Sequence, residues 1–330
     1  MSKPPPKRAH TLDMQVGGHK GVQQSGEGDL IMKPCLPAER DFYQAVAADE
    51  RLSKLRGHVP QFYGTLRLEG KVDVEAAGGD VGADQLREVL AKSADDKGKD
   101  ECFRLLLFNM DTRTHNLSHR FRKPNILDIK LGKVLYDETA NEEKKARMIK
   151  VAAETTSFET GVRLTGFSVY DPASQTYTVT PKEYGKSIKA EQLVEGTARF
   201  FPESVPREAL LKVLGSVHDK VLEIQQALAE TEIRMVGGSL LIVWEGDPAA
   251  LAKAIEAADS GRDVMEEEDE GEEDELDENS RKPGPVCVVK LIDFAHTRLV
   301  PGEGPDEGVM TGVGTTLKLL ENRIHELRKS

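Results

Sequence analysis

Apolar residues recur along this chain at two spacings. From 206 to 232, Leu210, Leu214, Val217, Val221, Ile224 and Leu228 return every three or four positions, the stripe of a long amphipathic helix. Phe42, Val46, Leu52 and Leu55 repeat similarly behind Glu39 and predict a helix over 37–55. Unbroken apolar runs predict two central buried strands, GGSLLIVWEG at 237–246 and VCVVKLIDF at 286–294, with the residues between them as a surface excursion. QFYGTLRL (61–68) and ECFRLLLF (101–108) read as further strands, and GVRLTGFSVYD with QTYTVTP (161–181) as a hairpin. PNILDIKLGKVLY (124–136) suggests two short strands about a tight Lys-Leu-Gly turn. A charged helix is expected at about 142–153, another opened by Asp247-Pro248 and running to Ala258, and a last one over about 315–327.

Punctuation divides the chain further. Residues 1–13 read as a disordered proline-rich tail, and the glycines of 16–33 mark turns between short strands. The Gly, Asp, Ala and Lys of about 70–101 look like an insertion with a short helix near 85–91. At 31% charged and 38% hydrophobic residues the balance is that of a globular chain with some disordered segments. No apolar run approaches the roughly 20 residues of a membrane helix, and no secretory or transit signal is readable, so an intracellular protein is expected. Residues 266–278 hold 11 acidic side chains and no base, within a formal net charge of −12. This tract is expected to be disordered, and the rest of the chain is nearly neutral. Cys35, Cys102 and Cys287, odd in number and far apart in sequence, argue against a disulfide framework or a cysteine zinc site.

The candidate chemistry gathers at strand ends. Asp128 in ILDIK and Asp293 in LIDFAHT close apolar strands, and each has a second functional residue nearby, Lys130 and His296. Either carboxylate alone is as readily a cap or a satisfied polar end. Residues two apart on a strand share a face, so Asp128 and Lys130 could point into one cleft. Phosphoryl transfer needs such a pair, a carboxylate for the hydroxyl and a lysine for the transferred charge. Asp293 would then hold magnesium, which takes carboxylate and phosphate oxygens. Lys33 is a candidate for the nucleotide phosphates, ion-paired to Glu39. The glycines before it match neither GxGxxG nor the Walker pattern. Lys144, Arg147 and Lys150 on EEKKARMIK offer a basic cluster for a highly phosphorylated small molecule.

Together these residues resemble one family. PNILDIKLG fits P-x-x-x-D-x-K-x-G, the signature of inositol polyphosphate kinases, at Pro124, Asp128, Lys130 and Gly132. GGSLLIVWEG resembles that family's S-x-L-L strand from Ser239, and LIDFAHT its I-D-F-A strand at Ile292, Asp293, Phe294 and Ala295. The resemblance implies an α+β, two-lobed fold, protein-kinase-like or ATP-grasp-like, with ATP between a small β-rich N-lobe and a larger α+β C-lobe. The N-lobe would span 14–117. The C-lobe would span 118–330, with the inositol phosphate-binding helix at about 142–153 and the acidic loop at about 260–284. ATP would meet Lys33, Glu39, Asn116, Leu117, Asp128 and Asp293. Asp128 and Lys130 would be catalytic, and Asp293 would bind the Mg2+. Substrate would meet Lys130, Lys144, Arg147, Lys150 and His296.

Within the family the closest resemblance is to fungal inositol polyphosphate multikinases, through ETTSFETGVRLTGFSVYD and an acidic tract in this position. That implies phosphorylation of inositol tris- and tetrakisphosphate towards the pentakisphosphate. Inositol hexakisphosphate kinase activity is the alternative enzyme reading, and a transcriptional scaffold acting through the acidic tract the alternative of another class. A nuclear and cytoplasmic monomer is expected, with no direct nucleic-acid binding. Basic protein partners for the tract and membrane phosphoinositides as substrates stay open. One departure stands out. Where relatives have a hinge resembling V-L-E-N-L-T-H, this chain reads LLLFNMDTRTHNLSHRF, so 103–114 look like an alternative or additional segment.

Overall fold

Residues 10–11, 23–24, 31–66, 102–107, 117–261 and 283–329 are described by the structure, a computed structural model. The first lobe is a sheet of β1 (His10–Thr11), β2 (Gln23–Gln24), β3 (Ile31–Cys35), β4 (Gln61–Leu66) and β5 (Cys102–Leu107), ordered β1-β2-β3-β5-β4 with antiparallel neighbours. His10 and Thr11, inside the stretch read as a tail, thus pair with Gln24 and Gln23. β5 lies inside this sheet, so residues 103–107 are a strand the lobe is built around and not an added segment. The expected helix near 85–91 and the acidic tract fall outside the described residues.

Between β3 and β4, α1 (Pro37–Ala48) is followed by a 3₁₀ helix, Glu50–His58. The single helix expected over 37–55 is therefore two pieces. Asp49 takes an extended backbone and accepts a hydrogen bond from the Arg51 amide, ending one helix and capping the next. Leu52 and Leu55 remain fully buried, because the 3₁₀ turn keeps their three-residue spacing on one face. Cys35 and Cys102, far apart in sequence, are register partners across β3 and β5.

The second lobe runs β6 (Pro124–Leu131), α2 (Glu142–Glu154), α3 (Ser157–Thr160), β7 (Val162–Asp171), β8 (Thr176–Thr180), α4 (Lys182–Ser187), α5 (Leu193–Phe200) and α6 (Arg207–Ala229). It continues with β9 (Ile233–Val236), β10 (Ser239–Glu245), α7 (Pro248–Asp259), β11 (Cys287–Ile292), β12 (His296–Leu299) and α8 (Glu307–Lys329). Its main sheet is antiparallel, ordered β11-β10-β6-β7-β8, and β9 pairs with β12 separately. β6 is the central strand. β11, expected to be central, ends the sheet order, yet it is buried because α6 packs across it. The α6 stripe predicted from spacing, Leu210 to Leu228, is buried at every position between β11 and α8.

Two expectations about local structure are corrected. Residues 124–136 hold one strand, not two. Gly132 takes φ +99°, a left-handed conformation open chiefly to glycine, and the chain leaves the sheet there with Val134 exposed. The last helix starts at Glu307, eight residues before the expected start, with Asp306 accepting from the Gly308 and Val309 amides. The glycines of GVMTGVG look like loop punctuation but serve close packing. A Cβ on Gly312 would lie 2.4 Å from the Gly161 carbonyl oxygen. Gly312→Ala is therefore expected to destabilise by about 1–3 kcal/mol through overpacking, outweighing the ~1 kcal/mol alanine gains in a helix. A lower urea midpoint at unchanged slope checks this.

The lobes meet along a seam. Phe294, fully buried, stacks on Phe42 of α1 at 4.7 Å and meets Tyr43 edge-on at 5.2 Å. Lys290 on β11 donates from Nζ to the Gly57 carbonyl at 2.5 Å. Its burial pushes the ammonium pKa down to about 8.

Candidate active site

The central strand β6 carries Asp128 and Lys130, and a bulge shapes their surroundings. Asp128 pairs with Gly166 of β7 and Ile129 with Leu164, so Thr165 is the extra residue. On the other side Asp128 faces Leu241, and Lys130 faces Ser239, on β10. Asp128 is only 3% exposed. The hydroxyls of Ser239 and Thr165 come near enough to favour its charged form, yet Asp128 Oδ1, Ser239 Oγ and Thr165 Oγ1 close no full hydrogen bond. Burial dominates, the Asp293 carboxylate adds to it, and the Asp128 pKa is pushed up to about 6.

Lys130, expected at the open cleft surface, is partly buried, and its Nζ donates to the Gly237 carbonyl at 2.7 Å. Desolvation pulls its pKa down. Asp128 and Asp293 oppose that, and Arg163 reinforces it. Asp293 stands just beyond β11 at φ +65°, a backbone an aspartate tolerates better than most residues and one found disproportionately at functional sites. The buried Phe294, clamped by α1, fixes this turn against the first lobe.

Arg163 was not among the residues singled out from sequence. It is the register partner of Lys130, its Nη1 is buried without a hydrogen bond, and burial lowers its pKa against the pull of Asp128. One signal was present: an arginine alternating with the apolar side chains of a strand beside the signature.

A second group adjoins the first. His296 on β12 pairs in register with Val236, whose neighbour Gly237 holds Lys130. His296 Nδ1 lies 2.5 Å from Asp137 Oδ2, and Lys144 at the start of α2 adds positive charge beside Asp137. The three cations expected on α2 all lie on that helix, with Lys144 half-buried at its start. Arg147 is exposed, and Lys150 pairs with Glu154 at 3.7 Å on the last turn.

The remaining candidates are less defined. Lys33 is on β3 opposite Arg104, but its side chain lies outside the described residues, and so does its expected pair with Glu39. Glu39 is buried on the first turn of α1. Asn116 lies outside the described residues, and Leu117 is buried in the core.

The arrangement suits a divalent cation. The Asp293 carboxylate raises the cost of charge on the buried Asp128, and Asp128 Oδ1 has no hydrogen-bond partner. Among the described residues no cluster of three His, Cys, Asp or Glu could hold a metal. The remaining ligands would have to be phosphate and water oxygens, the usual condition of magnesium in kinase sites.

An acidic pair, one member buried, with a lysine, on a P-x-x-x-D-x-K-x-G strand and an I-D-F-A turn, is matched by known proteins. The profile of the inositol polyphosphate kinase family matches residues 112–321. The chain belongs to the inositol polyphosphate kinase family. Inositol polyphosphate multikinase of Saccharomyces cerevisiae is 30% identical over 93% of this chain and 96% of its own length. The crystal structure of an inositol phosphate multikinase from S. cerevisiae, in complex with ADP and Mn2+, aligns with a TM-score of 0.62 and 27% identity, over 90% of this chain and 100% of that one. Human inositol hexakisphosphate kinase 2 is 30% identical, over 62% of this chain and 49% of its own length. Among inositol polyphosphate kinases, then, the likeness runs end to end with the yeast multikinase and over only half of the hexakisphosphate kinase.

Proposed function

We propose that this chain is an ATP-dependent inositol polyphosphate multikinase that phosphorylates ring hydroxyls of inositol tris- and tetrakisphosphate towards the pentakisphosphate. The observation that carries the reading is the buried Asp128 with the partly exposed Asp293 and Lys130 close enough to shift its charge, on the family's signature strands at the seam of the two lobes. The near-complete match to the yeast multikinase favours that branch over the hexakisphosphate kinases.

In this reading Asp293, with Asp128, would hold a divalent cation such as Mg2+, which would supply charge neutralisation for the phosphates. The ring hydroxyl oxygen forms its bond to the γ-phosphorus as the bond to ADP breaks, and the hydroxyl proton passes to Asp128. Asp128 orients that hydroxyl, and Lys130 and Arg163 stabilise the charge spread over the transferred group. Lys33 and Glu39 serve the nucleotide phosphates. Lys144, Arg147 and His296 meet the phosphates already on the ring, and Lys150 does so only by exchanging Glu154 for substrate.

Incubation with ATP, Mg2+ and inositol 1,4,5-trisphosphate, followed by separation of products, tests the reading. Successive tetrakis- and pentakisphosphate peaks are expected. Turnover of inositol hexakisphosphate alone would assign the protein to the other branch, and turnover of neither would overturn the kinase reading.

A further inference from the structure

We propose that Asp137 is a positioning residue for substrate recognition, acting through His296. The inference rests on the multikinase reading, in which His296 meets the phosphates of the inositol ring.

Its basis is the segment that leaves the sheet after Gly132. Outside any strand or helix, this segment is fastened to β12 at two successive residues. Asp137 Oδ2 lies 2.5 Å from His296 Nδ1, and Glu138 pairs with Arg298. His296 and Arg298 share the exposed face of β12, with the buried Thr297 between them on the other face.

Asp137 is itself held. Its second oxygen accepts from the Thr139 hydroxyl at 2.6 Å, Lys144 faces it from α2, and its side chain is only 16% exposed. These contacts hold its carboxylate well below the usual range, so it is charged at neutral pH.

An imidazole whose Nδ1 rests against a fixed carboxylate loses much of its freedom to rotate, and its other nitrogen faces a set direction. Among the described residues Nε2 of His296 has no partner, and the side chain is 38% exposed. The arrangement therefore presents one nitrogen of His296 outward, with the positive charge of Lys144 on the same side as the carboxylate that holds it. A phosphorylated ring bridging β12 and the start of α2 would meet both. Asp137 would touch no phosphate, since a carboxylate in direct contact with one would repel it.

The test is a double-mutant cycle on the full chain, with KM for inositol 1,4,5-trisphosphate and for ATP measured in Asp137→Ala, His296→Ala and the combined variant. A carboxylate that orients a ligand-contacting histidine is commonly worth about tenfold. Asp137→Ala should raise KM for the inositol phosphate about five- to tenfold and change KM for ATP less than twofold. Asp137→Asn, which keeps an acceptor for Nδ1–H, should recover part of the loss.

In the His296→Ala background, removal of Asp137 should add less than twofold, because the group it positions is gone. Full multiplication of the two effects would overturn the proposal and make Asp137 an independent structural residue. A normal Asp137→Ala beside an impaired His296→Ala would also overturn it while leaving the substrate reading of His296 intact. A normal His296→Ala would remove that reading and this proposal together. Thermal melts of all variants show whether a raised KM reflects a damaged fold.

Discussion

Lys130→Ala lowers turnover by about 10²–10³-fold, the loss typical of removing one preorganised charge from a transition state, and leaves the protein folded. The size follows from where the ammonium sits. Burial works against its charge, two carboxylates favour it, and a hydrogen bond to the Gly237 carbonyl fixes its direction. A charge held in that way needs no reorganisation when negative charge develops on the transferred oxygens. The fold survives because removing a desolvated cation also removes its desolvation cost, offsetting much of the lost bond. Steady-state rates and far-UV circular dichroism on Lys130→Ala, with Lys130→Met as the control that keeps the aliphatic stem, check both halves. If either folded variant keeps more than a tenth of wild-type turnover, Lys130 is not at the transferred group.

Asp128→Asn stabilises the metal-free protein and abolishes its activity. A carboxyl whose pKa is pushed up to about 6 in the fold, against an ordinary 3.8, prefers to be neutral in the folded state. Folding is therefore penalised above pH 6, where the group must ionise in a buried site, and not below pH 3.8. The shift converts to at most about 3 kcal/mol. An asparagine is neutral at every pH, so the variant's advantage should be about 1–3 kcal/mol at pH 7.5 and should shrink as the pH falls through 6 towards 4. Urea unfolding with EDTA at pH 7.5, 6.0 and 4.5 reads this directly. A variant less stable than wild type at pH 7.5, or an advantage that grows on acidification, would show that Asp128 is not strained in the metal-free fold. The expected trade, stability lost to keep a carboxylate where the chemistry needs it, is common at active sites.

What could be foreseen from sequence depended on whether information was local. The stripe of α6, the hairpin of β7 and β8 and the cap at Asp247 follow from spacing or from one residue's chemistry, and each forms where expected. Asp128, Lys130 and Asp293 stand out as candidates because ionisable residues are unusual in short apolar runs, although Asp128 and Lys130 lie within β6 and only Asp293 stands beyond its strand.

The contributors that were missed depend on meetings between distant segments. Arg163 reaches the site only through its register opposite Lys130, and Asp137 only because the chain after Gly132 leaves the sheet and is tied to β12. The early start of α8 was hidden for the same reason. Gly308 and Gly312 look like helix breakers until Lys133 and Gly161 are seen packed against them. The interior position of β5 likewise rests on pairing with two strands far away in sequence, and a comparison of local motifs made it look like surplus.

The register of β4 against β5 has a consequence for how this enzyme tolerates change. Leu66, the last residue of one strand, lies opposite Phe103, the second of the other. The chain between them is thus anchored at two adjacent points, and its length hardly enters the geometry of the sheet. Loop-closure entropy grows only with the logarithm of length, so shortening this connection from 35 residues to a five-residue turn alters folding free energy by less than about 2 kcal/mol. Lineages could lengthen, shorten or rewrite this connection without disturbing the sheet of the first lobe. For the same reason it is the place to graft a fluorescent reporter or an affinity handle.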